Sequence, residues 1–132
     1  MSVILDTSVW SLTLRRKTPP ESAAVKALRN LIVDDRVVLL GAIRQEILSG
    51  IRRSEQFIRV RDYLRAFPDL EVVPEDYELA AEFFNTCRNK GVQGANTDFL
   101  ICSVAHRRNY SILTNDKDFQ SFQAYIPVAL LS

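Results

Sequence analysis

The feature that most constrains this chain is a recurring one. Short runs dominated by apolar residues alternate with stretches of helical length. "SVILD" at 2–6, "RVVLLG" at 36–41, "LEVVP" at 70–74, "YSILT" at 110–114 and "IPVALL" at 126–131 read as strands. Successive side chains of a strand point to opposite faces, so a strand that is apolar throughout must be covered on both sides. Strands of this kind, each followed by a helix, imply an α/β fold with a central, mostly parallel sheet and helices on both faces. At 132 residues the chain is long enough to bury a real core. With no linker, repeat or low-complexity tract in view, residues 1–132 are expected to form a single domain.

The intervening segments carry their own start and stop signals. "TSVWSLTLRR" reads as a helix with Thr7 or Ser8 near its start. "TPPESAAVKALRNLIVDD" reads as a second, with Pro20 at its first helical position and Ala24, Leu28, Leu31 and Ile32 along its apolar face. "AIRQEILSGI" leads out of the second strand. "SEQFIRVRDYLRAF" is started by Ser54 and stopped before Pro68. "EDYELAAEFFNTCRNKG" is a long helix closed by Gly91. After the loop "VQGAN", "TDFLICSVAHRRN" is a helix apolar on most sides, and "NDKDFQSF" is a turn and short helix.

Several function classes drop out early. No apolar run approaches the ~20 residues of a membrane helix. The first residues have neither a basic region nor a small-residue cleavage site, so the expected location is cytoplasmic. Cys87 and Cys102 lack a CxxC partner and His106 is the sole histidine, which argues against a zinc site. The net charge of +1 does not mark a nucleic-acid binder. The distribution is more suggestive: residues 51–67 hold five arginines against Glu55 and Asp62, making Arg52, Arg53, Arg59 and Arg61 candidate RNA contacts if that face is more than solvated surface.

The acidic residues fall in a pattern. Asp6 ends the first strand, and Asp116 follows the end of the fourth. Ligands of open parallel sheets bind outside the carboxyl ends of the strands, which is where both aspartates emerge. Asp98 stands in the first turn of the apolar helix. Each could simply favour a helix start, at about 0.3–1 kcal/mol. Glu46 has no such explanation, being mid-helix beside the stripe of Ile43, Ile47 and Ile51, with small Ala42, Ser49 and Gly50 as neighbours. Carboxylates gathered at one sheet edge repel by about 4 kcal/mol per pair at ~4 Å and an effective dielectric near 20. A cation or a bound proton relieves this. An all-oxygen set without His or Cys favours Mg²⁺ or Mn²⁺, and such a centre points to metal-assisted attack on a phosphodiester.

In order, "VILDTSVW", "IRQEILSGI", "NTDFLICSVA" and "ILTNDKDF" resemble the four motifs of the PIN-domain family, and more narrowly of VapC-type toxin ribonucleases. The resemblance runs from residue 3 to 119. It implies a three-layer PIN fold and a Mg²⁺- or Mn²⁺-dependent endoribonuclease acting on RNA. Asp6, Glu46, Asp98 and Asp116 would be catalytic, with Asp6, Asp98 and Asp116 on the metal side. It further implies frequent homodimers and inhibition by a cognate VapB-type antitoxin. Thr7, Ser8 and Thr114 would hold carboxylates or water. "NDKDF" offers two aspartates. In a helical turn they point about 200° apart, so Asp116 is expected to face the metal and Asp118 to lie nearer the surface or bond to amides of its own turn. The alternatives are a housekeeping RNA-processing nuclease and a non-catalytic RNA-binding module of the same fold. A receiver-type phosphoacceptor would want adjacent acids after the first strand, and a haloacid-dehalogenase-type phosphatase would want DxD where this chain has "DTS".

Overall fold

The computed structural model describes residues 1–15 and 21–131. Three parallel strands form the sheet: β1 (Val3–Leu5), β2 (Val37–Val38) and β3 (Ser111–Leu113), in the order β2-β1-β3. β1 is central, and all three of its residues are buried. Val3 pairs with Val37 and Ser111, Ile4 with Val38 and Ile112, and Leu5 with Leu113.

Seven helices flank the sheet among the described residues: α1 (Thr7–Leu14), α2 (Ala23–Val33), α3 (Gly41–Leu48), α4 (Ser54–Leu64), α5 (Pro74–Asn89), α6 (Asn96–Arg108) and α7 (Asp118–Gln123). The expected α/β class, a parallel sheet flanked by helices, is what the chain adopts. α6 is the helix that the sequence marked as apolar on most sides. It is buried without a break from Phe99 to Ala105 and packs on β1 and β3. α5 covers α6. Trp10, Phe99, Phe119 and Phe122 are the bulkiest fully buried side chains of the core.

Two expected strands shrink to single bridges. For "LEVVP" the bridge is Leu39↔Asp69, one residue ahead of the expected strand, with Leu70 N–H donating to Leu39 O at 2.9 Å. Pro74 opens α5 at once, and the Arg44 guanidinium holds both the Asp69 carboxylate and the Phe67 carbonyl, so this segment is fixed by a side chain instead of by a ladder. In "IPVALL", the bridge is Ile112↔Leu130. Pro127 has no N–H to give, and the pairing is confined to Ala129 O and Leu131 N–H. Both remnants are parallel, so the spatial order across the sheet is Asp69, β2, β1, β3, Leu130. The chain first builds outward from β1 to one side, then crosses back to build on the other. The reversal falls between β1 and β3, and that switch point is where ligands of open parallel sheets bind.

The helix ends correct some of the sequence expectations. α1 starts at Thr7, as expected, and is capped by Asp6, whose carboxylate accepts the Ser8 N–H. α2 begins at Ala23 under Ser22, whose hydroxyl accepts the Val25 N–H at 3.2 Å, so the start assigned to Pro20 falls outside the described residues. Ser54 is the first residue of α4, but the N-cap is Arg53 and no side chain bonds there. Gly91 closes α5 as expected: at φ +75° it lets its own N–H reach Arg88 O and the Val92 N–H reach Cys87 O, the paired bonds of a Schellman end.

Candidate active site

At the switch point the ends of four segments converge on a cleft of about 680 Å³, lined by Asp6, Thr7, Ser8, Ala42, Gln45, Glu46, Ser49, Ala95, Thr97, Asp98 and Asp116. The four acids named from the sequence therefore line one cavity. Asp6 comes from the β1–α1 turn, Glu46 from the middle of α3, Asp98 from the first turn of α6 and Asp116 from the β3–α7 turn.

Each acid is held by a specific partner. Asp6 is only 4% exposed. One of its oxygens accepts the Ser8 N–H and the other the Thr114 hydroxyl. The Thr114 oxygen in turn accepts the Asp116 N–H at 2.9 Å, and the Ser8 hydroxyl accepts the Asn115 N–H at 3.0 Å. These bonds stitch the turn after β1 to the turn after β3, two segments more than a hundred residues apart in the chain. Thr7 donates its hydroxyl to Glu46 Oε1 at 2.6 Å, tying α1 to α3. Asp98 Oδ2 accepts the Ala95 N–H at 3.1 Å, the backward bond of a capping box, so the start of α6 and the carboxylate fix each other. The preceding loop is held tightly as well: a Cβ at Gly94 would meet the rings of Phe122 and Phe99.

Asp118 does not line the cleft. Within the turn, Asp116 Oδ1 accepts the Asp118 N–H at 2.9 Å, an Asx turn that starts α7. Asp118 is exposed, the first of the two places expected for it, and the side chain bonding an amide of this turn is that of Asp116. Phe119, next along, is fully buried and anchors the turn. None of Arg52, Arg53, Arg59 and Arg61 lines the cleft. Arg53 pairs with Glu55, Arg61 with Asp62, and Arg59 donates to the Leu14 carbonyl at the end of α1.

Gln45, Ala95 and Thr97 line the cleft without having been singled out as site residues. Thr97 had one usable signal, its place beside Asp98 at a helix start.

The electrostatics follow from crowding. Burial pushes the Asp98 carboxyl up to about 6; the Ala95 amide pulls it down, and the negative charges of Asp6, Asp116 and Glu46 raise it further. Asp6 is also raised by burial, which outweighs the stabilising bonds from Thr114 and Ser8, with Asp116 adding repulsion. Carboxylate and hydroxyl oxygens are the donors a hard divalent cation takes, so the donor chemistry fits Mg²⁺ or Mn²⁺. As the side chains stand, no group of three or more such residues among those described closes on one point tightly enough to hold an ion.

Residues 3–124 match the family model described as PIN domain, and the chain belongs to that family. Solved structures of similar fold include FitAcB from Neisseria gonorrhoeae, at 22% identity and a TM-score of 0.77, covering 98% of this chain and 96% of that one. VapBC from Salmonella typhimurium, bound to DNA, gives 16% identity and 0.77, with 100% and 97% covered. VapBC2 from Rickettsia felis, bound to a fragment of promoter DNA, gives 18% and 0.75, with 99% and 98% covered. At these identities the likeness is one of fold. No curated protein matches the chain.

Proposed function

We propose that this chain is a metal-dependent endoribonuclease, the toxin of a toxin–antitoxin pair. The observation that carries the proposal is the convergence of Asp6, Glu46, Asp98 and Asp116, from four separate segments, on one cleft at the sheet's switch point. Four carboxylates drawn together against their own repulsion suit a cation-binding hydrolytic centre better than they suit helix capping. Asp6, Asp98 and Asp116 would hold Mg²⁺ or Mn²⁺. Bound there, the ion supplies activation of water and neutralisation of charge on the phosphodiester.

The chain's own residues do the positioning. Thr114 and Ser8 hold both oxygens of Asp6 in place. Thr7 holds one oxygen of Glu46, leaving Oε2 to accept a hydrogen bond or proton from the attacking water. Asp116 is oriented by the turn that Phe119 anchors. A further structure of similar fold, from Mycobacterium tuberculosis, is described as a member of the VapBC family of toxin-antitoxin systems. By that analogy a VapB-type antitoxin is the proposed inhibitor, a homodimer the proposed assembly, and cytoplasmic RNA the proposed substrate.

The direct test is cleavage of end-labelled RNA by the purified chain, with Mn²⁺ or with EDTA. Cleavage that requires the metal and disappears in Asp98→Asn, with the melting curve intact, is the expected result. Equal cleavage by Asp98→Asn would leave that residue as a helix-start residue only.

A further inference from the structure

Next to the acidic cleft lies a second cavity, of about 380 Å³, between α5 and the first turn of α6. Its lining differs in kind. Tyr77, Phe84 and Phe99 supply aromatic surface, Ala80, Ala81 and Leu100 a smooth apolar floor, and Asn85, Asn96 and Thr97 the polar groups. Among the described residues no charged side chain lines it. Thr97 lines both cavities, so the groove and the acidic cleft meet across one residue, in the same helical turn that carries Asp98.

We propose that this groove receives a nucleobase of the RNA, one that flanks the scissile phosphate. The inference rests on the nuclease function proposed above and adds a residue-level account of base selection. Single-stranded RNA is recognised by stacking unpaired bases on aromatic side chains and by hydrogen-bonding their edges. The groove offers both. Phe84 and Phe99 stand edge-to-face at 5.5 Å, which fixes the wall, and Tyr77 is 56% exposed, an aromatic side chain left open to solvent. Asn85 and Asn96 each carry a donor and an acceptor, the complement of a base edge. An uncharged groove opening onto a charged cleft matches the substrate, whose neutral base and anionic phosphate must be held side by side. Tyr77 and Asn85 are separated by roughly 12 Å along α5 at 1.5 Å per residue, so the groove is long enough to place a base beyond the reacting centre.

Three variants test this: Ala81→Leu, which fills the groove, Tyr77→Ala and Asn85→Ala. All three positions are exposed, and circular dichroism and thermal melts establish that the variants fold. In one arm, cleavage sites are mapped on a randomised single-stranded RNA pool with Mn²⁺. In the other, affinity for fluorescein-labelled RNA 12-mers of each base is measured in EDTA. Wild type is expected to prefer certain bases at one position beside the cut, and Asn85→Ala to relax that position alone. Ala81→Leu and Tyr77→Ala are expected to lower kcat/KM on the order of ten-fold, with kcat at saturating RNA changed far less.

Unchanged base preference and kcat/KM in all three variants overturn the proposal. If wild type cleaves nothing, the nuclease function fails, and the binding arm then decides on the groove alone: weaker 12-mer binding by the variants supports it, and equal binding overturns it. Sedimentation is run alongside. A wild-type dimer that Ala81→Leu or Tyr77→Ala splits into monomers would mean that a second copy covers the groove, which also overturns the proposal.

Discussion

Asp6 caps α1 and lines the acidic cleft, and Thr114 makes the two roles compatible. The Thr114 hydroxyl donates to one Asp6 oxygen while accepting the Asp116 N–H, so one side chain sets the spacing of two acids. Replacing it by the isosteric Thr114→Val leaves a nearly buried carboxylate oxygen and a backbone N–H without partners. A loss of about 1–3 kcal/mol follows, measurable as a lower urea midpoint in EDTA, and Thr114→Ser should recover most of it. A valine variant as stable as wild type would show that this bond does not hold the site. Asp98 gives a second prediction at this scale. Its folded-state carboxyl is raised to about 6, above the ordinary value near 4. Between those two values the folded chain binds a proton that the unfolded chain does not. Metal-free stability from this group therefore falls as pH rises from about 4 to about 6 and is flat above. Melts in EDTA across that range should show the slope in wild type and a shallower one in Asp98→Asn. The same slope in both would place the proton elsewhere.

Among the elements, the α5–α6 pair carries the most load. Asp76, fully buried at the start of α5, accepts from Arg107 and Arg108 at the end of α6 and from its own Val73 N–H, while the Ser103 hydroxyl donates to its backbone carbonyl. The Arg108 guanidinium, foremost, holds the Asp76 carboxyl well below the usual carboxylate range. The stability it contributes is complete above the unfolded value near 4 and is lost as pH falls toward the folded one. Asp76→Ala should cost about 3 kcal/mol at pH 7, because two guanidinium groups lose their partner. A urea midpoint unchanged by that substitution would mean that the cluster does not hold the two helices together. The sequence marked both helices and their ends, but not this link: Arg107 and Arg108 carry no local sign of their partner, which lies some thirty residues away. The lost strands have a similar cause. "LEVVP" and "IPVALL" have strand composition, yet Pro74 and Pro127 limit the pairing their neighbours can make. Strand ends and helix starts are local matters, and so Asp6, Asp98 and Asp116 could be named from the chain alone; Glu46, mid-helix, stood out by its small neighbours instead. Their partners Thr7, Ser8 and Thr114 were reachable only through the family resemblance, because a hydroxyl has no local signature of the carboxylate it will meet.

Across the whole molecule the charges are divided between the two ends of the sheet. α6 runs from Asp98, at the carboxyl edge with the other acids, to Arg108, just before β3 begins at the opposite edge. At the other end the buried Asp76 carboxylate is matched by the guanidinium groups of Arg107 and Arg108. At the cleft end the protein supplies acids and hydroxyls, and among the described residues the lining contains no Lys or Arg to offset them. The clustered acids therefore carry an electrostatic cost at the cleft that an added cation or protons relieve. Millimolar Mn²⁺ should raise the melting temperature: at about 100-fold excess over Kd the gain is about 2.7 kcal/mol, several degrees for a chain of this size. Protons compete for the same oxygens, so the shift should shrink as the pH is lowered toward 5, where Asp98 is protonated in the folded chain. In the Asp6→Asn, Asp98→Asn double variant the metal-free protein should melt no lower than wild type, since repulsion is relieved, and Mn²⁺ should move it little. A shift of wild-type size in that variant would put the ion outside the cleft. No shift in wild type at neutral pH would mean that the acids are gathered there for some purpose other than holding a metal.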